Sequence, residues 1–405
     1  MESLRIAWRN LWRNTRRSLI TMAAVGVGTA VLVLIDGLMR GMVGSTIRNA
    51  TNLSLGEVQV HAPEYLVNQS MYRVVESPEP IVAWAREAGV ASATRSYGYG
   101  LLAQGKKSAG ARFWGVDPAA ERAGFDLAQH VTEGSFLGAQ PGQKVVLGRK
   151  LARKLGARIG DELVVVVQAA DGSMGNELFT VGGVLATAGD EIDRGAAIIH
   201  REDFEMLFVS DGRIHEVALN SRGRLEPAVL AAQVEPLAAG AEVRTWQQLL
   251  PMIAEMMKMM DSSLLIFGSI FFLAAGLGVL NTMLMATYDR IREFGLAKAL
   301  GASPGRILGA LCLESALLAA ISSALGAALG IAVSYYFSIH GLDTTAWAGT
   351  TTMGGIAFDP VWRTELRADS VYLSVSLMTI TCLAAGLYPA ILSARLEPVA
   401  ALNHT

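Results

Sequence analysis

The chain carries few charged residues. Only 17% of its 405 residues are Asp, Glu, Lys or Arg, against about 25% in an ordinary soluble protein. The net charge of -2 provides no basic surface, which argues against a protein that binds nucleic acid. Because 52% of the residues are hydrophobic and the mean hydropathy is +0.37, the composition indicates a protein that lies partly in lipid.

Cysteine is also scarce. Cys312 and Cys382 both lie in apolar runs, and we interpret them as small packing residues. The long segment after the first apolar run has no cysteine, so it needs no disulfide even in an oxidising compartment. The six histidines lack the spacing of metal ligands, and no pattern indicates a nucleophilic enzyme. We therefore expect no metal site and no catalytic residues.

A complete phosphate-binding loop is missing too. The stretch GLLAQGKKS (100–108) approaches that pattern, but Lys107 stands where the pattern needs the hydroxyl residue that binds Mg²⁺. We predict that this stretch is a hairpin turn between two strands.

What the sequence does have is four long apolar runs. A membrane-spanning helix needs about 20 apolar residues, and backbone in hydrocarbon must be hydrogen-bonded within its own segment, so these runs are predicted to be helices. Their acids, Asp36 and Glu314, lie near membrane ends, where we expect a structural role. We predict an α-helical membrane protein whose four transmembrane helices cover residues 18–42, 263–287, 307–339 and 371–394.

Basic residues predict the orientation of these helices. Five arginines precede the first run, and further basic residues separate the second run from the third. The positive-inside rule places both groups in the cytoplasm. Both termini are then cytoplasmic: residues 1–17 as an amphipathic helix and 395–405 as a tail. The large segment 43–262 and the loop 340–370 lie outside. The first run is too long for a cleaved signal peptide.

The large external segment contains two β-α-β patterns. They cover about 56–117 and about 212–246, and they bracket a β-rich insert at about 118–211. We predict a large α+β extracytoplasmic domain, inserted between helices 1 and 2, in which a split α/β module has the insert beside it. A stalk helix at 246–262 leads into the second transmembrane helix.

The polar stretch DRIREFGLAKALGASPGR separates the second apolar run from the third. We predict a short helix over 289–300 that stops at Gly301, since glycine adopts the left-handed conformation that ends helices. Ser303 would cap the third span and Pro304 would occupy its first turn. This helix would have one apolar side, formed by Ile291, Phe294, Leu296 and Leu300. Such a side fits a docking surface for another protein, or a helix that lies on the lipid headgroups.

Three stretches resemble ABC-transporter permeases of the MacB/LolC–LolE/FtsX type. REFGLAKALGASPGRILGALCLES (292–315) resembles the family's segment between spans two and three. YPAILSARLEPVAAL (388–402) resembles its C-terminal end, and IAWRNLWRNTRRS (6–18) resembles the helix before its first span. The resemblance covers the whole topology and implies a multi-pass protein of the bacterial inner membrane with a periplasmic domain.

The resemblance also implies partners. The segment 288–306 would be a coupling helix that seats in a groove of a separate cytoplasmic ATPase. That ATPase would bind ATP and Mg²⁺, and this chain, a permease subunit and not an enzyme, would bind no cofactor. Expected partners are a dimer of ABC ATPase subunits, a second permease of the same or a similar chain, a periplasmic lipoprotein carrier or adaptor, and lipids. We assign ATPase coupling to Arg290, Arg292, Glu293, Phe294, Leu296, Ala299, Leu300 and Gly301.

Methionines cluster where the stalk enters the second span. Methionine is flexible and polarizable, which suits a surface that receives varied apolar cargo. Plain packing within the stalk is the alternative interpretation. We predict a cavity for lipid chains or another hydrophobic substrate, lined by Met39, Met42, Met252, Met256, Met257, Met260 and Leu264.

The resemblance implies transport of an envelope substrate. The sequence is closer to the lipoprotein-releasing branch, in which a lipoprotein leaves the inner membrane for a carrier. MacB-type efflux through an adaptor and an outer-membrane duct is the alternative; its ATPase is often fused ahead of the first span, where only about seventeen residues stand here. An FtsX-type regulator of cell-wall hydrolases is a third possibility, although its ectodomain is usually smaller.

Overall fold

The computed structural model describes residues 2–185, 189–344, 352–353, 356–357 and 361–395. It divides into two units. The helical unit takes Met1–Gly44, Met257–Thr344 and Val361–Thr405, and the ectodomain unit takes Ser45–Met256 and Thr345–Pro360.

The described helices include four long ones. In chain order the described helices are α1 Glu2–Leu11, α2 Thr15–Ala50, α3 Tyr65–Asn68, α4 Glu79–Glu87, α5 Pro118–Gly124, α6 Arg149–Leu155, α7 Asp190–Gly195, α8 Arg201–Phe208, α9 Pro227–Val234, α10 Trp246–Leu249, α11 Pro251–Tyr288, α12 Ile291–Ala299, α13 Pro304–His340 and α14 Ala368–Arg395. The four long helices are α2, α11, α13 and α14.

The described strands lie mostly in the ectodomain unit. They are β1 Val58–His61, β2 Ala91–Gln104, β3 Lys107–Val116, β4 Val131–Gly134, β5 Lys144–Gly148, β6 Glu162–Gln168, β7 Met174–Leu185, β8 Ala196–His200, β9 Glu216–Asn220, β10 Glu242–Thr245, β11 Leu342–Asp343, β12 Thr352–Met353, β13 Ile356–Ala357 and β14 Val361–Trp362.

Four described helical stretches are long and apolar enough to cross a membrane. We name Thr15–Leu55 span 1, Gly268–Tyr288 span 2, Pro304–His340 span 3 and Ala368–Arg395 span 4. Span 1 continues α2 through a π-helical turn, Thr51–Leu55. The predicted membrane protein with four transmembrane helices, and with an α+β domain between the first of them and the rest, is confirmed.

Small residues bring the spans close together. A Cβ atom added at Gly326 of span 3 would lie 2.3 Å from the carbonyl oxygen of Gly26 in span 1. A Cβ added at Gly386 of span 4 would lie 2.1 Å from Oγ of Ser315 in span 3. The backbones of spans 1 and 3 therefore approach closely at Gly26 and Gly326, and Gly386 leaves room for the side chain of Ser315. Close approach is how helices gain packing energy where lipid supplies no hydrophobic driving force.

Gly37 and Gly41 of span 1 face the extended segment 363–365. The backbone N–H of Glu365 donates to the carbonyl oxygen of Gly37 at 2.9 Å. A Cβ atom added at Gly41 would lie 1.7 Å from the carbonyl oxygen of Arg363. The loop that precedes span 4 thus lies directly against the backbone of span 1.

The ectodomain unit is organised by one ten-stranded sheet. Its order is β10-β1-β9-β2-β3-β8-β5-β7-β4, with β6 paired to both β2 and β7. The flanking strands and the strands of the insert therefore share a single sheet. The strands of the insert pair with the flanking strands at two places. β8 runs parallel to β3, with Arg112 opposite Ala196, and β6 runs antiparallel to β2, with Gly100 opposite Val167.

The near-match to a phosphate-binding loop is part of this sheet. β2 and β3 pair antiparallel up to Gln104 opposite Lys107. Gly105, in the turn between them, has a φ of +57°, a conformation that glycine adopts without steric cost. The stretch forms the predicted hairpin.

Candidate ATPase-coupling site

The short helix α12 lies between spans 2 and 3. After Leu300 the chain passes through Gly301, whose φ of +95° ends the helix as predicted. Pro304 occupies the first turn of span 3, but Ser303 makes no side-chain cap hydrogen bond. Ser303 thus holds the predicted N-cap position, but without a side-chain hydrogen bond; the proline, with its fixed φ, begins the helix.

The apolar residues of α12 occupy two faces. Ile291, Phe294 and Gly295 are buried, whereas Leu296 is 54% exposed and Leu300 81% exposed. With 3.6 residues per turn, positions 291, 294 and 295 share one side and positions 292, 296, 299 and 300 share the other. The single apolar side predicted from the sequence is wrong. We call the exposed residues Arg292, Leu296, Ala299 and Leu300 the outer face.

Phe294 belongs to the core of the helical unit. It is 8% exposed and lies in one apolar cluster with Leu11, Ile307 and Leu311. The structure therefore removes Phe294 from the predicted docking surface, because a buried ring cannot contact a partner in this conformation. Instead it holds α12 against the spans.

Arg290 is likewise turned inward. Its Nη1 lies 3.1 Å from Oε2 of Glu314 in span 3, and its Nε lies 3.2 Å from Oε2 of Glu293. The guanidinium also lies 5.1 Å from the centre of the Phe294 ring. Glu314 is 5% exposed, so this acid has the structural role expected for it. Leaving such a buried carboxylate unpaired would be strongly destabilising.

The segment before span 1 contacts the same turn. Arg13 Nη1 lies 2.8 Å from Oε1 of Glu293, and Arg17 Nη1 lies 3.3 Å from Oδ2 of Asp289. Sequence reasoning missed both pairs, since the partners are separated by more than 270 residues and nothing in either segment identifies the other. Glu293, assigned to a partner from the sequence, already has two partners within this chain.

These contacts keep Glu293 ionised. Burial alone would raise the pKa of the Glu293 carboxyl group, but hydrogen bonds from Arg13 and Arg290 outweigh it, and the pKa lies below its ordinary value. On the other side of α12, Lys298 Nζ donates to the carbonyl oxygen of Ala394 at 2.6 Å. The turn that contains α12 is thus attached by polar contacts to spans 1, 3 and 4.

The methionines predicted to line a cavity lie in both units. Met39, Met42 and Met257 belong to the helical unit, and Met252 and Met256 belong to the ectodomain unit. Met39, Met252 and Met257 are exposed, and Met42 and Met256 are half-buried. The side chains of Met260 and Leu264 lie outside the described residues. The cavity stays a prediction.

Within the described part of the chain, no group of His, Cys, Asp and Glu side chains could hold a metal ion.

The fold and this turn define a class: a multi-pass membrane protein with an ectodomain inserted after its first span. The MacB-like periplasmic core domain matches residues 18–241, and the FtsX-like permease C-terminal domain matches residues 265–398. Because the first match covers more than half of the sequence, the chain belongs to the MacB/LolC/FtsX family of permeases.

Relatives match over the full length of this chain. The lipoprotein-releasing system transmembrane protein LolC of Xylella fastidiosa (strain Temecula1) is 25% identical over 97% of this chain and 95% of its own length. The pyoverdine export ATP-binding/permease protein PvdT of Pseudomonas syringae pv. tomato is 24% identical over 100% of this chain and 59% of its own length. The macrolide export ATP-binding/permease protein MacB 1 of Escherichia coli O1:K1 / APEC is 24% identical, with 99% and 60% covered.

The family and these relatives establish the general role. The chain is a permease subunit of an ABC transporter, and it belongs to an inner-membrane family whose large domain is periplasmic. Family membership also implies an ABC ATPase as its partner.

Proposed function

We propose that the chain is a permease subunit of a lipoprotein-releasing ABC transporter. The observation that carries this proposal is the match to a LolC protein over 97% of this chain and 95% of that protein. The match includes span 1, the ectodomain and the three later spans in the same order. The cargo would be an acylated lipoprotein drawn from the outer leaflet of the inner membrane.

The outer face of α12 would be the site where the ATPase acts. Leu296 and Leu300 are exposed apolar residues flanked by charge, which is the composition of a docking surface. In the proposed mechanism, a separate dimer of ATPase subunits binds ATP and Mg²⁺, closes, and carries two docked helices with it. Since α12 is attached to the spans by Phe294 and Arg290, its displacement would move them as rigid bodies.

The remaining partners are also part of the proposal. A second permease, identical or similar, would supply the second docked helix, because the ATPase is a dimer. A periplasmic carrier would take up the released lipoprotein, since its acyl chains cannot remain in water. The termini would be cytoplasmic, on the side of the ATPase.

Release of lipoprotein from vesicles tests this function. Inside-out membrane vesicles would contain the chain, its ATPase and a triacylated lipoprotein, with a soluble lipoprotein carrier enclosed. We expect ATP-dependent transfer of the lipoprotein to the carrier, and loss of transfer in Leu300→Glu. An ATPase that turns over in the complex without any transfer would contradict the proposal.

Efflux is the second candidate, because PvdT and MacB 1 also match over the whole chain. The same vesicles with a radiolabelled macrolide outside distinguish it. ATP-dependent accumulation of the macrolide, without lipoprotein transfer, would favour efflux. Activation of a cell-wall hydrolase with neither kind of transport would favour the FtsX-type regulator.

A further inference from the structure

The coupling helix is covalently joined to only two spans. Spans 2 and 3 continue directly into the turn that contains α12. Span 1 has no such connection, yet it is the span from which the ectodomain begins. The ectodomain separates span 1 from span 2 along the chain, so the direct route from α12 to span 1 consists of non-covalent contacts.

Those contacts form a continuous chain of charges across three helical segments. Arg13 before span 1 contacts Glu293, Glu293 contacts Arg290, and Arg290 contacts Glu314 of span 3, with successive distances of 2.8, 3.2 and 3.1 Å. A second connection lies between spans 1 and 2 themselves, where the hydroxyl oxygens of Thr21 and Thr282 are 2.6 Å apart. The turn is therefore connected to span 1 as well as to the spans that flank it.

We propose that Arg290, Glu314 and Arg13 are positioning residues, which hold α12 in one orientation so that force applied to its outer face reaches span 1 together with spans 2 and 3. This inference rests on the proposed action of the ATPase at the outer face. It changes the role of Arg290 and Glu293, which the sequence had assigned to contact with the ATPase.

Burial decides which of the pairs carries most of the effect. Arg290 and Glu314 have side chains only 13% and 6% exposed, whereas those of Arg13 and Glu293 are 49% and 53% exposed. Exposed ion pairs are screened and contribute little, while a buried carboxylate that loses its partner is left without compensation. Changes at Arg290 or Glu314 should therefore act more strongly than a change at Arg13.

The direct test measures how firmly α12 is held. A spin label is attached at Ala299→Cys, on the outer face, in a chain whose Cys312 and Cys382 are replaced by alanine, and its mobility is recorded by electron paramagnetic resonance. We expect greater mobility in Glu314→Gln and in Arg290→Gln. The reciprocal exchange Arg290→Glu with Glu314→Arg should return it towards the original value. Arg306→Gln, an exposed arginine at the start of span 3, is the matched control and should change nothing.

The functional test measures capture and coupling separately. In Glu314→Gln we expect capture of the ATPase to stay within about twofold, since the outer face is unaltered, while the amount of lipoprotein transferred per ATP falls roughly tenfold. If Glu314→Gln does not reach the membrane, Arg13→Gln serves instead, with a smaller change in the same direction.

Two results would overturn the inference. One is unchanged label mobility in Glu314→Gln and Arg290→Gln. The other is loss of ATPase capture in these variants to the same extent as in Leu300→Glu, which would mean that the pair forms part of the docking surface. Label mobility needs no cargo, so absence of lipoprotein transfer in the unaltered protein would count against the proposed function and not against the positioning role.

Discussion

At the scale of single residues, Arg95 is a buried cation on strand β2, inside the ectodomain sheet. It is 1% exposed, and its guanidinium lies 2.6 Å from Glu121 and 2.7 Å from Glu216. It also donates to the carbonyl oxygen of Ser54, in the π-helical turn that follows α2. One buried cation thus joins that turn to strands β2 and β9 and to helix α5.

Removing this cation should destabilise the ectodomain. Arg95→Met leaves two carboxylates buried without their partner, so we expect the free energy of unfolding to fall by about 3–5 kcal/mol. Denaturant unfolding of the full chain, followed by tryptophan fluorescence, measures the change. Arg222→Met, which breaks an exposed pair with Asp126, should cost no more than about 1 kcal/mol. Equal effects of the two substitutions would contradict this account of Arg95.

Two buried histidines in the same region predict a dependence on pH. Burial lowers the pKa of His61, although Glu216 nearby acts in the opposite direction. Burial also lowers the pKa of His215, whose Nδ1 accepts a hydrogen bond from the backbone N–H of Tyr97. Both rings are therefore neutral in the folded protein at pH values where the unfolded chain begins to bind protons.

The sign of the effect follows from proton binding. Because the unfolded state binds more protons below its ordinary pKa of about 6.5, the stabilisation is present above that pH and is lost as the pH falls through the lowered pKa values. We expect the unfolding midpoint of the ectodomain to drop as the pH falls below about 6.5, the ordinary pKa of histidine. The double variant His61→Gln/His215→Gln should flatten this slope. An equal slope in the double variant would refute the assignment.

At the scale of elements, the two faces of α12 differ in burial. The inner face packs against the spans, and the exposed outer face is the proposed docking surface. We expect Leu300→Glu and Leu296→Glu to weaken capture of the ATPase by a factor of roughly 30, the effect of losing about 2 kcal/mol at the centre of an interface. Co-purification with the tagged ATPase over a dilution series measures it.

A matched control separates docking from general loss of apolar surface. Ile6→Glu alters another exposed apolar residue of the helical unit, on α1, and should leave capture unchanged. Phe294→Ala should instead lower the thermal stability of the helical unit, because Phe294 is buried in its core. If Ile6→Glu abolished capture as Leu300→Glu does, α1 would have to be included in the docking surface.

At the scale of the whole molecule, the order of spans predicts which parts face which side. With four spans, the turn at α12 and the hairpin between β2 and β3 must lie on opposite sides of the membrane. In a chain whose own cysteines are replaced by alanine, Ala302→Cys should react with an impermeant maleimide only in inside-out vesicles. Lys106→Cys should react only in right-side-out vesicles. Labelling of Ala302→Cys from the periplasmic side would invert the topology and exclude an ATPase at α12.

The sequence by itself determined the membrane class and the main elements. Apolar runs that are long enough to cross a bilayer form helices, because in hydrocarbon the backbone finds hydrogen-bond partners only within its own segment. Gly301 ended its helix as predicted, since the left-handed conformation there favours glycine. Such features depend on residues that are close in the chain, and a single sequence contains that information.

Only the tertiary structure decided which side of each element is used. The apolar residues of α12 looked alike in sequence, yet packing against Leu11 and Ile307 buried Phe294 and left Leu300 exposed. Arg13 pairs with Glu293, and Arg290 pairs with Glu314, although no local sequence pattern links the two members of either pair. The strands of the insert and the flanking strands form one sheet for the same reason. A strand can form hydrogen bonds with any strand that lies beside it, and the order of strands along the chain does not specify which strand that is.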